Sequence, residues 1–264
     1  MTEPAIEVEG LSLSIRGSAL LREVSFRVDR CDTWSVLGPN GAGKSTLLRC
    51  LMRIHAGWTG QVRLFGRPLG EYSQRELARR VAYVPQPGGD QRFPYTVREF
   101  VRMGRYAYSG LFGAAHPEDG KAIDAAMDQA NVAMFADRTL DTLSGGERQK
   151  VFIAAALAQG GDLLLLDEPT AFLDYKHQAE VSRILQSINQ QSGTTIVTVT
   201  HDVNVAILSG GHALALRDAT VAWKGPAAGL MSEDLLSRIF DATFRFIDDP
   251  GTGLRLVAPQ GAQE

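Results

Sequence analysis

Apolar and polar residues alternate over residues 6–28, which is the pattern of two half-buried antiparallel strands. Residues 34–37 form a short apolar run that predicts a buried strand, and a Gly-rich segment, 38–43, follows it. A helical pattern then covers residues 44–54. A strand, a Gly-rich loop and a helix in this order are typical of the start of an α/β nucleotide-binding core.

The rest of the chain continues this pattern, except between residues 87 and 143, where strand signals disappear. Further strands are predicted at 62–65, 81–84, 162–166 and 194–200, and a terminal hairpin at 244–247 and 254–257. Helices are predicted at 73–80, 96–103, 117–130, 146–159, 174–191 and 232–240. We therefore expect one domain over 1–264, with a core formed by 1–86 and 144–264 and a helical subdomain, 87–143, inserted into it.

The composition excludes several classes of protein. With 44% hydrophobic and 22% charged residues, the 264-residue chain has enough apolar material for a packed core. Its net charge of −3 disfavours a protein that holds nucleic acid by charge alone, so no nucleic-acid partner is expected. The longest apolar runs, 151–158 and 163–166, are far shorter than the roughly 20 residues that cross a bilayer. Cys31 and Cys50 are expected to be small buried thiols in a reducing compartment.

Residues 38–46 match the G-x-x-x-x-G-K-[ST] phosphate loop in full. The glycines let backbone N–H groups converge on a phosphate, and the following helix adds the positive end of its dipole. Lys44 is expected to reach the β- and γ-phosphates, Ser45 to ligate Mg²⁺ and Thr46 to contact the α-phosphate. A chance Gly-rich turn is the alternative, but the strand before the loop and the helix after it disfavour it. The predicted nucleotide-binding residues are Gly38, Pro39, Asn40, Gly41, Ala42, Gly43, Lys44, Ser45 and Thr46.

Two acidic residues follow the continuous Leu run at 163–166. A strand that is buried on both faces would deliver them to the sheet edge where ligands bind in open α/β folds. Asp167 is expected to hold Mg²⁺ through water, and Glu168 to orient and activate the attacking water. A pair of solvated acidic residues at a strand end is the alternative interpretation, and such pairs are common. The phosphate loop in the same chain disfavours this alternative.

The residues at 143–149 are Leu-Ser-Gly-Gly-Glu-Arg-Gln, and they indicate a second phosphate-binding turn. Ser144 supplies a hydroxyl, and the backbone of Gly145 and Gly146 opens a predicted helix, which together make an anion site. Taken alone, a Ser-Gly-Gly turn is an ordinary helix start. Together with the phosphate loop and the acidic pair, it resembles the LSGGQ signature of the ATP-binding-cassette (ABC) ATPases, with Glu147 in place of the Gln.

The resemblance continues, in the right order, at the other landmarks of the family. Gln86 ends a segment similar to the Q-loop, Asp174 ends one similar to the D-loop, and His201 lies in one similar to the switch histidine segment. In this family two cassettes stack head to tail, and each ATP lies between the phosphate loop of one copy and the signature of the other. The resemblance therefore implies ATP and Mg²⁺ as cofactors and a second copy of this chain as a partner. It implies an α/β fold with a P-loop NTPase core, an antiparallel β-subdomain and an inserted α-helical subdomain.

The same resemblance implies roles for individual residues. Ser144 and Gly146 act on the nucleotide of the partner copy, and Gly145, Glu147 and Asp174 belong to the same nucleotide-binding set. Gln86 senses Mg²⁺ and the attacking water, while His201 contacts the γ-phosphate and positions Glu168. The implied catalytic residues are Glu168, His201, Gln86 and Lys44, and the implied metal residues are Ser45, Gln86 and Asp167. The remaining histidines, His55, His116, His177 and His212, are expected to be structural or surface residues.

One position departs from the family pattern. ABC ATPases usually stack adenine on an aromatic residue in the early strands, and the matching residue here is Ile15. An aliphatic contact from Ile15 and the guanidinium plane of Arg16 remain open as substitutes. Weaker discrimination between bases is therefore expected.

The helical segment points to what the ATPase drives. Six aromatic residues fall between 93 and 112, among several Arg residues and a Met, and they are Phe93, Tyr95, Phe100, Tyr106, Tyr108 and Phe112. Aromatic residues are enriched at protein interfaces, and an interface is one explanation of these six. The filling of a small core within the helical segment is the other, and the two are given equal weight. Residues 96–106, 172–178 and 251–253 are similar to segments of the importers for ferric siderophores, haem and cobalamin.

The function implied is that of the ATP-hydrolysing subunit of a membrane importer for a metal chelate, peripheral at the cytoplasmic face of the inner membrane. Its implied partners are multi-span permease subunits and, indirectly, a periplasmic or surface solute-binding protein. The alternatives left open are a soluble ABC ATPase of iron–sulfur cluster assembly, a transporter ATPase for another substrate, and an exporter. A simple P-loop kinase is a further class, but it would not need a signature helix.

Overall fold

The structure is a computed structural model that describes residues 3–86, 94–108, 118–248, 250 and 255–260. Its strands are β1 (Ile6–Ile15), β2 (Ser18–Val28), β3 (Thr33–Leu37), β4 (Thr59–Leu64), β5 (Arg67–Pro68), β6 (Val81–Val84), β7 (Leu163–Asp167), β8 (Thr195–Val199), β9 (His212–Arg217), β10 (Thr220–Pro226), β11 (Phe244–Asp248) and β12 (Arg255–Pro259). Its α-helices are α1 (Lys44–Leu51), α2 (Gln74–Arg80), α3 (Val97–Met103), α4 (Asp119–Gln129), α5 (Gly145–Gln159), α6 (Tyr175–Ser192), α7 (Val203–Leu208) and α8 (Glu233–Phe240). Short 3₁₀ turns lie at Leu69–Glu71, Gly104–Tyr108, Ala133–Phe135, Leu140–Thr142 and Ala227–Leu230.

The chain forms two compact units, each of which is described by itself. Among the described residues, the first unit comprises 3–69 and 198–260, and the second comprises 70–197. The functional subdivision expected from the sequence, with a helical insertion at 87–143, remains a prediction.

The first unit begins with an antiparallel sheet whose strand order is β2-β1-β4-β5. β1 pairs with β2 from Ile6 opposite Val28 to Ile15 opposite Ser18, and it pairs on its other side with β4. Along β1 the even positions 6 and 8 and the odd positions 11 and 13 are buried, because the register shifts between Val8 and Leu11. The alternating pattern therefore predicted the strands, and the bulge changed which positions face inward.

The first unit also contains a strand set that leads into the phosphate loop. β3 pairs in parallel with β9, with Trp34 opposite His212, and β10 pairs antiparallel with β9. The sequence patterns did not single out β9 and β10. Helices α7 and α8 and the β11–β12 hairpin cover a cluster that includes Leu37, Leu235 and Val257.

The second unit is built on the parallel pair β6 and β7, with Val81 opposite Leu163. Every residue of β7 is buried, as the continuous Leu run predicts for a strand that is covered on both faces. The cluster around it joins β6 and β7 to helices α5 and α6 through residues such as Ile153, Leu166 and Ile184. These two helices carry the segments that follow the signature and the D-loop.

Helices α3, α4 and α5 form a second cluster within the same unit. Its buried members include Val97, Ile123, Leu140 and Val151, in the region that the sequence predicts to be helical. The predicted first residue of the 117–130 helix, Pro117, lies outside the described residues, and α4 is described from Asp119. Among the described residues, no helix is both long and apolar enough to cross a membrane.

Candidate nucleotide site

The phosphate loop lies between β3 and α1, and its backbone requires glycine at two positions. Gly38 has φ +141°, and a β carbon there would overlap the carbonyl oxygen of Leu216. Gly43 has φ +101°, and a β carbon there would lie 2.5 Å from the carbonyl oxygen of Leu20. Gly41 also has positive φ, but a β carbon at this residue would meet no atom within 4 Å. The outer two glycines are therefore fixed by packing, while the middle of the loop is open.

Lys44 lies inside the curve of this loop. Its Nζ donates hydrogen bonds to the carbonyl oxygens of Gly38, at 2.7 Å, and Pro39, at 2.9 Å. Lys44 is buried, whereas the next two residues, Ser45 and Thr46, are half-buried at the start of α1. The loop thus combines a cation, two hydroxyl side chains and a helix N-terminus at one place.

His201 is in the same unit, at the end of β8. The N–H of Thr200 donates to the carbonyl oxygen of Val36 in β3 at 3.0 Å, so His201 follows a residue tied to the strand that enters the phosphate loop. The next residue, Asp202, caps α7 by accepting from the N–H groups of Asn204 and Val205. His201 itself is exposed. Ile15, at the tip of the β1–β2 hairpin, is 39% exposed.

The acidic pair of the second unit lies at the end of β7. Asp167 is buried, and the hydroxyl of Tyr83 lies 3.4 Å from its Oδ2. Glu168 has a left-handed backbone with φ 47°, and its Oε2 accepts from Nε2 of Gln86 at 3.0 Å. The structure therefore brings Gln86 and Glu168 together, 82 positions apart in the chain.

The signature turn opens α5 with a capping box. The N–H of Ser144 donates to Oε2 of Glu147 at 2.9 Å, and Ser144 Oγ accepts from the N–H of Glu147 at 3.3 Å. The bond from the Ser144 N–H is the main reason that the pKa of the Glu147 carboxyl is lowered from its usual value. Glu147 therefore makes the contacts that either a Glu or a Gln makes at the N3 position of a capping box.

Asp174 starts α6, and both of its carboxylate oxygens face one residue. Oδ1 accepts from the N–H of His177 and Oδ2 lies against His177 Nδ1, each at 2.9 Å. The backbone bond is the largest cause of the lowered pKa of Asp174. The sequence pattern alone predicts only a structural or surface role for His177. A signal was available, because an Asp at the N-cap with a His three positions later places both groups on the first turn of the helix.

The groups present fit a nucleotide polyphosphate and Mg²⁺. A β carbon built on Gly41 would meet open space in the middle of the phosphate loop, and Lys44 Nζ already lies against the carbonyl oxygens of Gly38 and Pro39. Hydroxyl and carboxylate oxygens are the ligands that Mg²⁺ takes, and Ser45 in the first unit and Asp167 in the second are each of a suitable residue type. These assignments of individual residues remain predictions.

The sequence pattern of the family described as ABC transporter matches residues 21–171, which is more than half of the chain. The chain belongs to this family. The match confirms the resemblance inferred from the motifs, and with it the ABC ATPase fold. ABC transporter ATP-binding proteins bind ATP and hydrolyse it to drive transport, as predicted.

Relatives of this ABC protein match nearly its whole length. The iron(3+)-hydroxamate import ATP-binding protein FhuC of Bacillus subtilis is 35% identical, covering 94% of this chain and 92% of its own. The ferric enterobactin transport ATP-binding protein FepC of Escherichia coli is 36% identical, with 99% and 97% covered. The hemin import ATP-binding protein HmuV of Streptomyces coelicolor is 40% identical, with 95% and 88% covered.

Solved ABC structures share its fold over most of its length. A metal-chelate type ABC transporter in an inward-facing conformation superposes with a TM-score of 0.85 and 27% identity, covering 98% of both chains. The cassette MJ0796, in a dimeric post-hydrolysis state bound to ADP and Pi, superposes with a TM-score of 0.72 and 27% identity, with 84% of this chain and 98% of that chain covered. ABC cassettes thus form dimers in solved structures.

The aromatic residues of the helical segment divide between the core and the surface. Phe100 packs edge to face on Phe152 with ring centroids 5.0 Å apart, and Tyr108 lies under the guanidinium of Arg105 at 3.8 Å. Tyr106 is 83% exposed. Phe93 and Phe112 lie outside the described residues. Phe100 therefore packs against the helical cluster, whereas the ring of Tyr106 lies on the surface.

One expectation about the thiols is wrong. Cys50 is buried in α1, where desolvation raises its pKa to about 11. Cys31 is exposed and has a left-handed backbone with φ 65°, because it sits in the turn between β2 and β3. A tight turn at the surface cannot bury its side chain, and composition alone does not show that turn.

Proposed function

We propose that this chain is the ATP-hydrolysing subunit of a membrane importer that takes up a metal chelate, of the ferric siderophore, haem or cobalamin class. It works as two copies bound to multi-span permease subunits at the cytoplasmic face of the inner membrane, and a solute-binding protein delivers the chelate to that permease. The observation that carries the proposal is the match to import ATP-binding proteins along nearly the whole chain, the helical segment included.

The contacts of the chain support the hydrolytic part of this proposal. Lys44, with the backbone of the phosphate loop, would bind and orient the phosphates of ATP, while Ser45 and Asp167 would hold Mg²⁺. When bound, Mg²⁺ neutralises phosphate charge. Glu168 orients the attacking water and accepts its proton, and Gln86 keeps the Glu168 carboxylate in place through the 3.0 Å bond.

The exposed side chains beside the D-loop segment support the pairing of two copies. The signature turn and the D-loop segment lie at the starts of α5 and α6, and Phe172 and Tyr175 beside Asp174 are almost fully exposed. Exposed aromatic residues next to a nucleotide motif favour a surface that is covered when the copies meet. His201, Ser144 and Gly146 act in that paired state.

The proposal is tested by co-expression with the membrane subunits encoded for a chelate importer, followed by reconstitution into vesicles. We expect the complex to be recovered intact. It should move labelled chelate across the vesicle membrane only when ATP is supplied on the side that exposes the ATPase subunit. The control variant is Glu168→Gln, which should bind ATP and hold two copies together but lose turnover, because positioning survives while activation of water fails.

Each failure points to a different error. Full turnover by Glu168→Gln would remove Glu168 from its role. Active hydrolysis by a protein that binds no membrane subunit would favour the iron–sulfur assembly class over a transporter. Outward movement of substrate by the complex would assign it to the exporters.

A further inference from the structure

The first turn of α5 and the first turn of α6 touch within the second unit. A β carbon built on Gly146 would overlap Cγ and Cδ2 of the His177 ring and would lie 2.7 Å from the His177 β carbon. A β carbon on Gly145 would lie 3.9 Å from Cδ2 of Leu173, which is ordinary contact. The second glycine of the signature is therefore needed, within a single copy, to admit the His177 side chain.

The His177 ring is held in that place by Asp174. The ring Nδ1 lies 2.9 Å from Asp174 Oδ2, and the carboxylate also accepts the backbone N–H of His177 at 2.9 Å. Only 21% of the His177 side chain is exposed. The imidazole thus has one edge bonded to the last residue of the D-loop segment and one face against the signature turn.

A second tie joins the same two helices one turn further on. Lys150 Nζ lies 2.8 Å from Glu180 Oε2, and the two side chains are 11% and 25% exposed. Lys150 is four positions after Gly146, and Glu180 is three positions after His177, so the ties occupy successive turns. Two contacts in this register resist sliding and rotation of α5 against α6.

We propose that His177 is a positioning residue that couples the D-loop segment, 172–174, to the signature turn, 144–147, so that both segments move as one body during the ATP cycle. The inference rests on the proposed function, because it assigns His177 to hydrolysis. His177 acts through Gly146 and Asp174 and contacts no nucleotide. A substitution of His177 should therefore change the rate of turnover and not the affinity of one copy for ATP.

The first test measures kcat, KM and the affinity of a single copy for a fluorescent ATP analogue in the full-length chain. His177→Ala removes the ring but keeps the backbone N–H that caps α6, so the helix start survives. We expect kcat to fall about tenfold, with nucleotide affinity and KM within about twofold of the wild type. His177→Asn keeps a side-chain donor where Nδ1 lies, and it should recover most of the lost kcat. Gln186→Ala, at an exposed position of α6, is the matched control and should match the wild type.

The second test is steric and uses thermal unfolding of the nucleotide-free protein. Gly146→Ala should lower Tm in the wild-type background, because the new β carbon meets the His177 ring. In the His177→Ala background the ring contacts are gone, and the decrease in Tm should be smaller by on the order of 2–4 °C. Equal decreases in both backgrounds would mean that the two residues do not touch.

Other outcomes overturn the proposal as well. Unchanged kcat in His177→Ala, an equal loss of kcat and of nucleotide affinity, or a His177→Asn variant no better than Ala would each reject a positioning role. Failure of the wild type to hydrolyse ATP would instead reject the proposed function. The two failures are therefore distinguishable in the same experiment.

Discussion

Ser144 has two separable tasks, and one set of substitutions at this position distinguishes them. In the structure it is the N-cap of α5, a 15-residue helix, while the proposed function also gives its hydroxyl to the nucleotide of the partner copy. Ser144→Ala removes both tasks. Ser144→Asp and Ser144→Asn restore a side-chain cap, because these residues are among the preferred N-caps, but they place a different group toward the nucleotide.

The structure sets the size of the capping effect. Ser144→Ala loses the bond from the Glu147 N–H to Oγ, which is long at 3.3 Å, and keeps the 2.9 Å bond from its own N–H to Glu147. The expected cost is about 1 kcal/mol of unfolding free energy. For a chain of this size that corresponds to a decrease in Tm of roughly 2–4 °C.

The assay compares Tm, kcat and single-copy ATP affinity for the three variants. We expect Ser144→Asp to recover Tm, because a carboxylate at the helix N-terminus caps and also complements the dipole. Its kcat should nevertheless fall by more than about tenfold, since a negative charge would face the phosphates of the partner's ATP. Single-copy ATP affinity should change little in all three variants.

Two results would refute this reasoning. An unchanged Tm in Ser144→Ala would mean that the capping box does not stabilise the helix. Full turnover by Ser144→Asp, with its cap intact, would mean that position 144 does not meet a nucleotide in the paired state.

Three further predictions follow from other described residues. The pKa of Glu147 is lowered from 4.5, so its carboxylate stabilises the folded protein above that pH, and this stabilisation is lost as pH falls through the lowered value. The Tm advantage of the wild type over Glu147→Gln should therefore vanish in acid. A constant difference in Tm from pH 7 to 3 would contradict this. Wild-type protein should hydrolyse ATP and GTP at comparable rates, and strict selectivity of the wild type for ATP would contradict this expectation. Ile15→Tyr should lower the KM for ATP roughly fivefold, because the new ring can stack on the base. An alkylating reagent at pH 8 should modify Cys31 rapidly and Cys50 only on unfolding, since burial raises the pKa of Cys50 to about 11. Mass spectrometry measures the labelling of each thiol, and equal labelling of both in the folded protein would contradict the prediction.

Local patterns were reliable where a few neighbouring residues decide the structure. Ser73 with Glu76 predicts a helix start, and both bonds of that capping box are present in the structure. The Leu run that ends at Asp167 predicts a strand buried on both faces, and β7 is one. In such cases propensity, hydrophobic period and capping act over a single turn or strand, so the sequence contains the whole cause.

Long-range contacts were not predictable in the same way. The bulge in β1 changes which positions face the interior, and β10, in which no residue is fully buried, has no strong pattern of its own. The exposure of Cys31 depends on a turn between β2 and β3 that composition does not reveal. Each of these features depends on the partner strand or on packing against it, and so on residues far away in the chain.

The sequence by itself determined the family, the order of the nucleotide motifs and the residue types that each motif requires, because phosphate loops, capping boxes and signature turns are short and chemically specific. Only the tertiary structure decided that the Gln86 amide holds the Glu168 carboxylate, and that the His177 ring fills the space left by the missing side chain of Gly146. The residues of each pair are brought together by the packing of separate elements, and a linear pattern contains no information on the distance between their atoms.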